Sequence, residues 1–164
     1  LENLTLFIIG LLGMMGCSKN TEIKVAIAPM ALNDELDPSL VRFSKEYFYL
    51  ENLMINLVKL NRNGNYDLQL ASKMNISKDG KKYEFQLHDA TFSDGTPIKA
   101  HHVERTIKRG IIKGLPHADF KDFIKGAKEL NSLDQEIPGI EVPNDNHIIF
   151  YLDKPSKEFL YYCN

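Results

Sequence analysis

"LASKMNISKDGKKYEFQLHDATFSDGTPIKA", Leu70 to Ala100, is the stretch from which the fold can be read. Met74 and Ile76 alternate with polar residues ahead of Asp79-Gly80, and Tyr83, Phe85 and Leu87 alternate behind it. That period of two predicts an antiparallel hairpin with one buried face, turning at Asp79-Gly80. Lys82, Glu84, Gln86 and His88 fall on the other face and are expected to meet water. "FSDGTPIKA" then reads as a loop, with Asp94-Gly95 as its turn and Pro97 ending any ladder. From Ala100, Val103, Ile107 and Ile111 recur every four residues, which predicts a helix that buries this stripe and exposes His101, Glu104, Arg105 and Lys108. Gly110 and Gly114 are its stop signals.

Upstream of that stretch, "EIKVAIAP" from Glu22 alternates until Pro29 and reads as a strand. "NDELDPS" is a turn cluster, followed by a helix over about Ser44 to Asn56 and a strand over Leu57 to Asn61. "NRNGN" supplies a tight turn. Downstream, "ADFKDFIKGAKELN" places Phe120, Phe123, Ile124 and Ala127 on one side of a second helix. "GIEV" and "HIIFYL" predict two strands separated by the turn residues Pro143 to Asn146, and "KPSKEFLYY" opens a last helix.

The 164 residues are 43% hydrophobic and 26% charged with a formal charge of −2, the composition of an ordinary globular chain. Lysines and arginines are dispersed among carboxylates, so no single-sign field marks a nucleic-acid surface. The first residues depart from this average, for Leu4 to Gly16 is apolar but for Thr5 and then meets Cys17. This is short of the roughly 20 apolar residues that a bilayer span needs. It suits the core of a signal peptide over residues 1–16, although Leu1, Glu2 and Asn3 lack the usual basic charge. A buried N-terminal helix is the alternative. "MMGC" resembles a lipobox, which makes Cys17 the expected lipid attachment and residues 17–21 a tether, and leaves Cys163 without a disulfide partner.

Candidate chemistry is sparse. His101, His102 and Glu104 raise a metal site, but ligands on one helical face need spacings of three or four, and only His101 with Glu104 or with the cationic Arg105 meets that. Ser93 and Asp94 lie in a loop near His88 without the strand-to-helix elbow that a nucleophilic serine requires. His147, which opens a strand beside Asp145, reads as a surface residue. "DGTP" lacks the glycine spacing and lysine of a phosphate loop. These residues predict neither catalytic group, metal nor cofactor, and the chain is read as not an enzyme.

The order of motifs carries more weight than any one of them. "LDPS", the run from Ile55 to Val103, "IKGAKEL" and "GIEVPNDNHIIFYLDKPSKEFLYY" together resemble the N-terminal part of the peptide-type solute-binding proteins of ABC importers, the oligopeptide, dipeptide and nickel group. The resemblance spans about Glu22 to Tyr162 and is most specific over the hairpin and "FSDGTPIKA". It differs in detail, since the family usually has Arg at His88, Gly at Ala90 and a capping Thr at Lys99; a hydroxyl cap contributes about 1 kcal/mol.

The resemblance implies an α/β, periplasmic-binding-protein-like fold of type II. Residues 22–45 would start lobe I, residues 46–164 would form its antiparallel α+β subdomain, and the stretch would stop before lobe II. It also implies an exported binding component, lipid-anchored at the cell membrane or in the periplasm, that takes a peptide or other small solute and delivers it to permease subunits. Arg42, Phe43 and Ser44 would reach the cleft edge, and the ligand's amino terminus would be gripped by an acidic residue far downstream. A lipoprotein remnant or stand-alone protein-interaction module is the rival expectation.

Overall fold

The computed structural model describes residues 50–114 and 120–164. The expected strand at Glu22 to Pro29, the tether, Cys17 and Arg42 to Ser44 lie outside these residues. Residues 50–53 are helical, the described end of the helix expected from Ser44. A short ribbon follows, β1 (Val58–Leu60) against β2 (Tyr66–Leu68). β2 has no counterpart among the predicted elements, because three residues around the strand-averse Asp67 give too short an alternation.

The hairpin is β3 (Ala71–Ile76) and β4 (Lys82–Leu87). It belongs to a larger sheet, for β6 (His147–Tyr151) pairs with the free side of β4, and β5 (Ile140–Asn144) pairs with β6. The order is β3-β4-β6-β5, antiparallel throughout. Pro143 lies inside the edge strand β5, where its missing N–H costs no ladder bond, so the turn shrinks to Asp145-Asn146.

Pairing register explains which face is buried. Tyr83 pairs with Phe150 and Phe85 with Ile148, so all four project inward and are buried. Ile76 at the end of β3 is exposed and Met74 only half-buried, since β3 is an edge strand. On the outward face Glu84 pairs with Ile149 and Gln86 with His147. Glu84 accepts from His147 Nε2 at 2.9 Å and lies 3.6 Å from Lys82 Nζ, while Tyr151 donates its hydroxyl to Glu141 at 2.9 Å. This polar frame surrounds Ile149, which is buried on the face expected to be wet.

The helix α1 (Ala100–Lys113) lies against β5 and β6. Ala100, Ile107 and Ile111 are buried and Val103 is half-buried, as the four-residue stripe predicts. Gly110 is an internal buried residue, and Gly114 caps the helix in the left-handed region at φ 67. Lys108, expected in solvent, is buried instead, its side chain 5% exposed with Nζ 2.7 Å from Glu104 Oε1. The stripe of buried residues is therefore wider than a strict four-residue count, and its polar member is neutralised one turn back.

The predicted second helix does not run through. It is one turn, α2 (Phe120–Phe123), then a 3₁₀ turn at Ala127–Glu129. Between them Ile124 bridges to Leu152, Lys125 N–H donates to the Tyr151 carbonyl at 2.9 Å, and Gly126 turns at φ 76 against Pro138. Pairing with the end of β6 outcompetes helical continuation. Gly139 permits the same approach, since a Cβ there would run into the Lys125 carbonyl and the Ile124 methyl.

The last helix, α3 (Phe159–Tyr162), drops Phe159 into the centre of the core. Its ring centroid is 4.9 Å from Tyr83, 5.3 Å from Phe150 and 6.1 Å from Phe120. Tyr83 also donates its hydroxyl to the Ser156 carbonyl at 2.6 Å, tying the approach to α3 onto the sheet. Beyond α3 the Cys163 carbonyl accepts from Val58 N–H at 3.3 Å, and Asn164 Oδ1 accepts from Leu60 N–H at 2.6 Å, so the chain returns to the outer edge of β1.

Two stability predictions follow from the packing, both read from urea denaturation midpoints. Phe159→Ala should cost about 3–5 kcal/mol, the range for emptying an aromatic site in a core; a loss below about 1 kcal/mol would show that the aromatic cluster does not carry the core. Glu104→Ala should be more damaging than Lys108→Met, because the first strands a buried ammonium and the second removes it. The reverse order would show that Lys108 needs no counter-charge.

Candidate functional site

Several of the candidate side chains in the described residues are held by partners within the fold. His101 and His102 lie ring against ring, centroids 4.0 Å apart, and the edge of Phe92 meets His102 at 5.2 Å. Glu104 is engaged by Lys108, and Arg105 stands 4.0 Å from Asp134 at the surface. No group of three or more His, Cys, Asp or Glu is placed to hold a metal among the described residues.

The serine and acid of the loop do not form a catalytic pair. Asp94 Oδ1 accepts from Thr96 N–H at 2.8 Å, while Phe92 N–H donates to the Thr96 carbonyl and Gly95 N–H to that of Phe92. The hydrogen bonds from Thr96 hold the Asp94 carboxyl below its usual range, as expected of an anion fixed in a turn. His88 is exposed at the end of β4. Asp145 and His147, close in sequence, face different partners: Asp145 Oδ2 is 2.7 Å from Lys99 Nζ, and His147 reaches Glu84. The bond from Lys99, and then its charge, keep the Asp145 carboxyl low.

Cys163 is buried, and burial pushes its thiol far up, away from a reactive thiolate. Tyr66 and Tyr83 are also raised, first by burial. One open groove of about 520 Å³ lies between the hairpin turn and the strap ahead of α3, lined by Ile76, Asp79, Gly80, Tyr83 and Pro155 among others. The Tyr83 hydroxyl on its wall is already donated to Ser156. Asp79 is likewise occupied, accepting from Ser77 Oγ and Lys81 N–H, which lower its carboxyl.

What sequence reasoning missed is the clamp at the entry to α1. Lys99 Nζ binds Asp145, Ala100 N–H donates to the Asp145 carbonyl at 2.6 Å, and Leu87 N–H to that of Asn146 at 2.8 Å. These residues are 45 or more positions apart in the chain for the first two bonds, and no spacing rule could have paired them. The clamp fixes where the "FSDGTPIKA" loop delivers its helix. No helix among the described residues is long and apolar enough to cross a membrane.

This arrangement is shared with known proteins. Residues 65–164 match the family model described as bacterial extracellular solute-binding proteins, family 5 Middle. The dipeptide-binding protein DppE of Bacillus subtilis is 30% identical over 116 residues, which are 68% of this chain and 21% of that protein. The oligopeptide-binding protein OppA of the same organism is 28% identical over 76% of this chain and 24% of its own length.

Among solved structures, the oligopeptide-binding OppAIV of Borrelia burgdorferi superposes with a TM-score of 0.66 at 25% identity, over 77% of this chain and 27% of that one. The murein tripeptide binding protein MppA of Escherichia coli gives 0.67 at 25% identity, over 77% and 26%. The chain thus spans between a fifth and about a quarter of the length of these relatives. The mixed α/β, periplasmic-binding-protein-like architecture expected from the motifs is the one found, as a part of those larger folds. With the model matching residues 65–164 of 164, the chain belongs to the bacterial extracellular solute-binding proteins of family 5, a family of binding components rather than enzymes.

Proposed function

We propose that this chain is the N-terminal part of an exported solute-binding component of an ABC importer, with peptide as its solute. The match of residues 65–164 to family 5 carries the reading, and relatives named for dipeptide, oligopeptide and murein tripeptide binding support the solute class. The mechanism is capture without bond-making: a peptide enters a cleft, main-chain hydrogen bonding and closure hold it, and a permease receives it. The commitment of the described polar groups to turns, caps and cross-strand pairs fits a body that shapes and supports a cleft wall.

In this reading residues 1–16 are a signal peptide, Cys17 is acylated, and residues 17–21 tether the protein to the membrane. Residues 22–45 begin lobe I and 46–164 form its subdomain. Arg42, Phe43 and Ser44 stand at the cleft edge. Closure needs a second lobe, so residues 1–164 alone do not grip a peptide. A second reading, a lipoprotein remnant or stand-alone protein-interaction module without a transport role, is favoured by the exposed Leu53, Met54, Leu60, Leu68 and Tyr161.

Titration calorimetry with a mixture of short peptides separates these readings. The chain of residues 18–164 is expected to show no saturable heat at micromolar peptide, and micromolar binding would refute the need for a second lobe. Joined in one polypeptide to the remaining part of the Bacillus dipeptide-binding relative, it should bind; a folded chimera that does not bind removes the solute-binding reading. Labelled palmitate should enter the exported chain in a bacterial host and be lost in Cys17→Ala, and label persisting in that variant would exclude Cys17 as the anchor.

A further inference from the structure

The helix α1 begins at Ala100 with Lys99 at its N-cap, a residue with no side-chain oxygen to offer the first turn. A different side chain reaches back. His102 Nδ1 accepts a hydrogen bond from Lys99 N–H at 3.0 Å, the position from which Glu or Gln closes a capping box. An imidazole can do this only while Nδ1 carries no proton, because the doubly protonated ring has two donors and no acceptor.

The surroundings of His102 oppose a second proton. Its ring is half-buried, set against Phe92 on the loop and against His101 on its own helix. Burial first, then the charges of His101 and Lys99, push its pKa below the usual value. The first turn of α1 contains no acidic residue, and added positive charge there would meet the positive end of the helix dipole. The nearby carboxylates are taken: Asp145 on the β5–β6 turn by Lys99 Nζ, Asp94 on the loop by Thr96, and Glu104 by Lys108.

We propose that His102 is an acid-released latch on the entry to α1. The neutral ring fastens Lys99, and through it the loop whose exit is held by Ile98 N–H to the Ala90 carbonyl and by the Thr91–Pro97 bridge. Protonation removes the acceptor and places a cation beside Lys99 and His101, so the loop and the first turn loosen together. The folded-state pKa lies below the unfolded value of about 6.5, so the stabilisation is full above about pH 6.5 and is lost as pH falls through the folded value. That the latch would meet the pH outside the cell rests on the export proposed above; the latch itself does not.

Amide hydrogen exchange tests it, with each rate divided by that of an unstructured chain at the same pH. Between about pH 7.5 and the pH at which the His102 ring is fully protonated, protection of the Lys99 amide should fall roughly fivefold to tenfold, the scale of one lost hydrogen bond. His102→Gln, whose side-chain oxygen accepts at either pH, should show less than about a twofold change. An equal acid response in both proteins overturns the latch. Should that variant fail to fold, ring titration by NMR in the unaltered chain decides. His102 must titrate below the usual histidine value and its curve must coincide with the shift of the Lys99 amide, and separate curves overturn the proposal.

Discussion

The burial of Phe159 is the constraint on which the described structure depends. Four elements far apart in the chain meet on one ring: β4 through Tyr83, β6 through Phe150, α2 through Phe120, and α3 itself. A helix of four residues has almost no stability of its own, since its nucleation cost is not recovered within one turn. It exists because its aromatic anchor fills the interior and because Tyr83 holds the preceding strap by a hydrogen bond. The sheet in turn needs Phe159, for without it the inward faces of Tyr83 and Phe150 would line a void.

The sequence revealed those parts of the structure that rest on local repetition. The alternation around Asp79-Gly80 and the four-residue recurrence from Val103 to Ile111 are signals confined to a few residues, and both elements are present. Sheet order was not legible, because nothing in "YEFQL" says that "HIIFY", more than 60 residues later, will lie on its free side. The second helix misled for a related reason: its apolar spacing is helical, yet Ile124 and Lys125 find better partners at Leu152 and Tyr151. The four-residue stripe puts Lys108 in water, and only the proximity of Glu104 makes its burial tolerable. Of the candidate site, the spacing of His101 and Glu104 leaves one pair, too few for a metal, and the loop around Ser93 and Asp94 lacks a nucleophile elbow. The clamp at the entry to α1 was not legible, since Lys99 and Asp145 stand 46 positions apart in the chain.

Polar chemistry in this body is spent on holding loops and sheet edges in place. Glu84 between Lys82 and His147, Glu141 under Tyr151, and Asp145 on Lys99 each fix an edge or a loop that hydrophobic contact alone would leave free to slide. These pairs supply register and orientation more than net stability, as partly exposed ion pairs contribute little.

The contact of Cys163 with Val58 gives the body an unusual path. The polypeptide enters the described sheets at β1, builds six strands and three helices, and comes back to hydrogen-bond the strand on which it started. Topologically it is a detour. In such a closed circuit β1 and the segment beyond α3 brace each other, so that loosening either one releases the other.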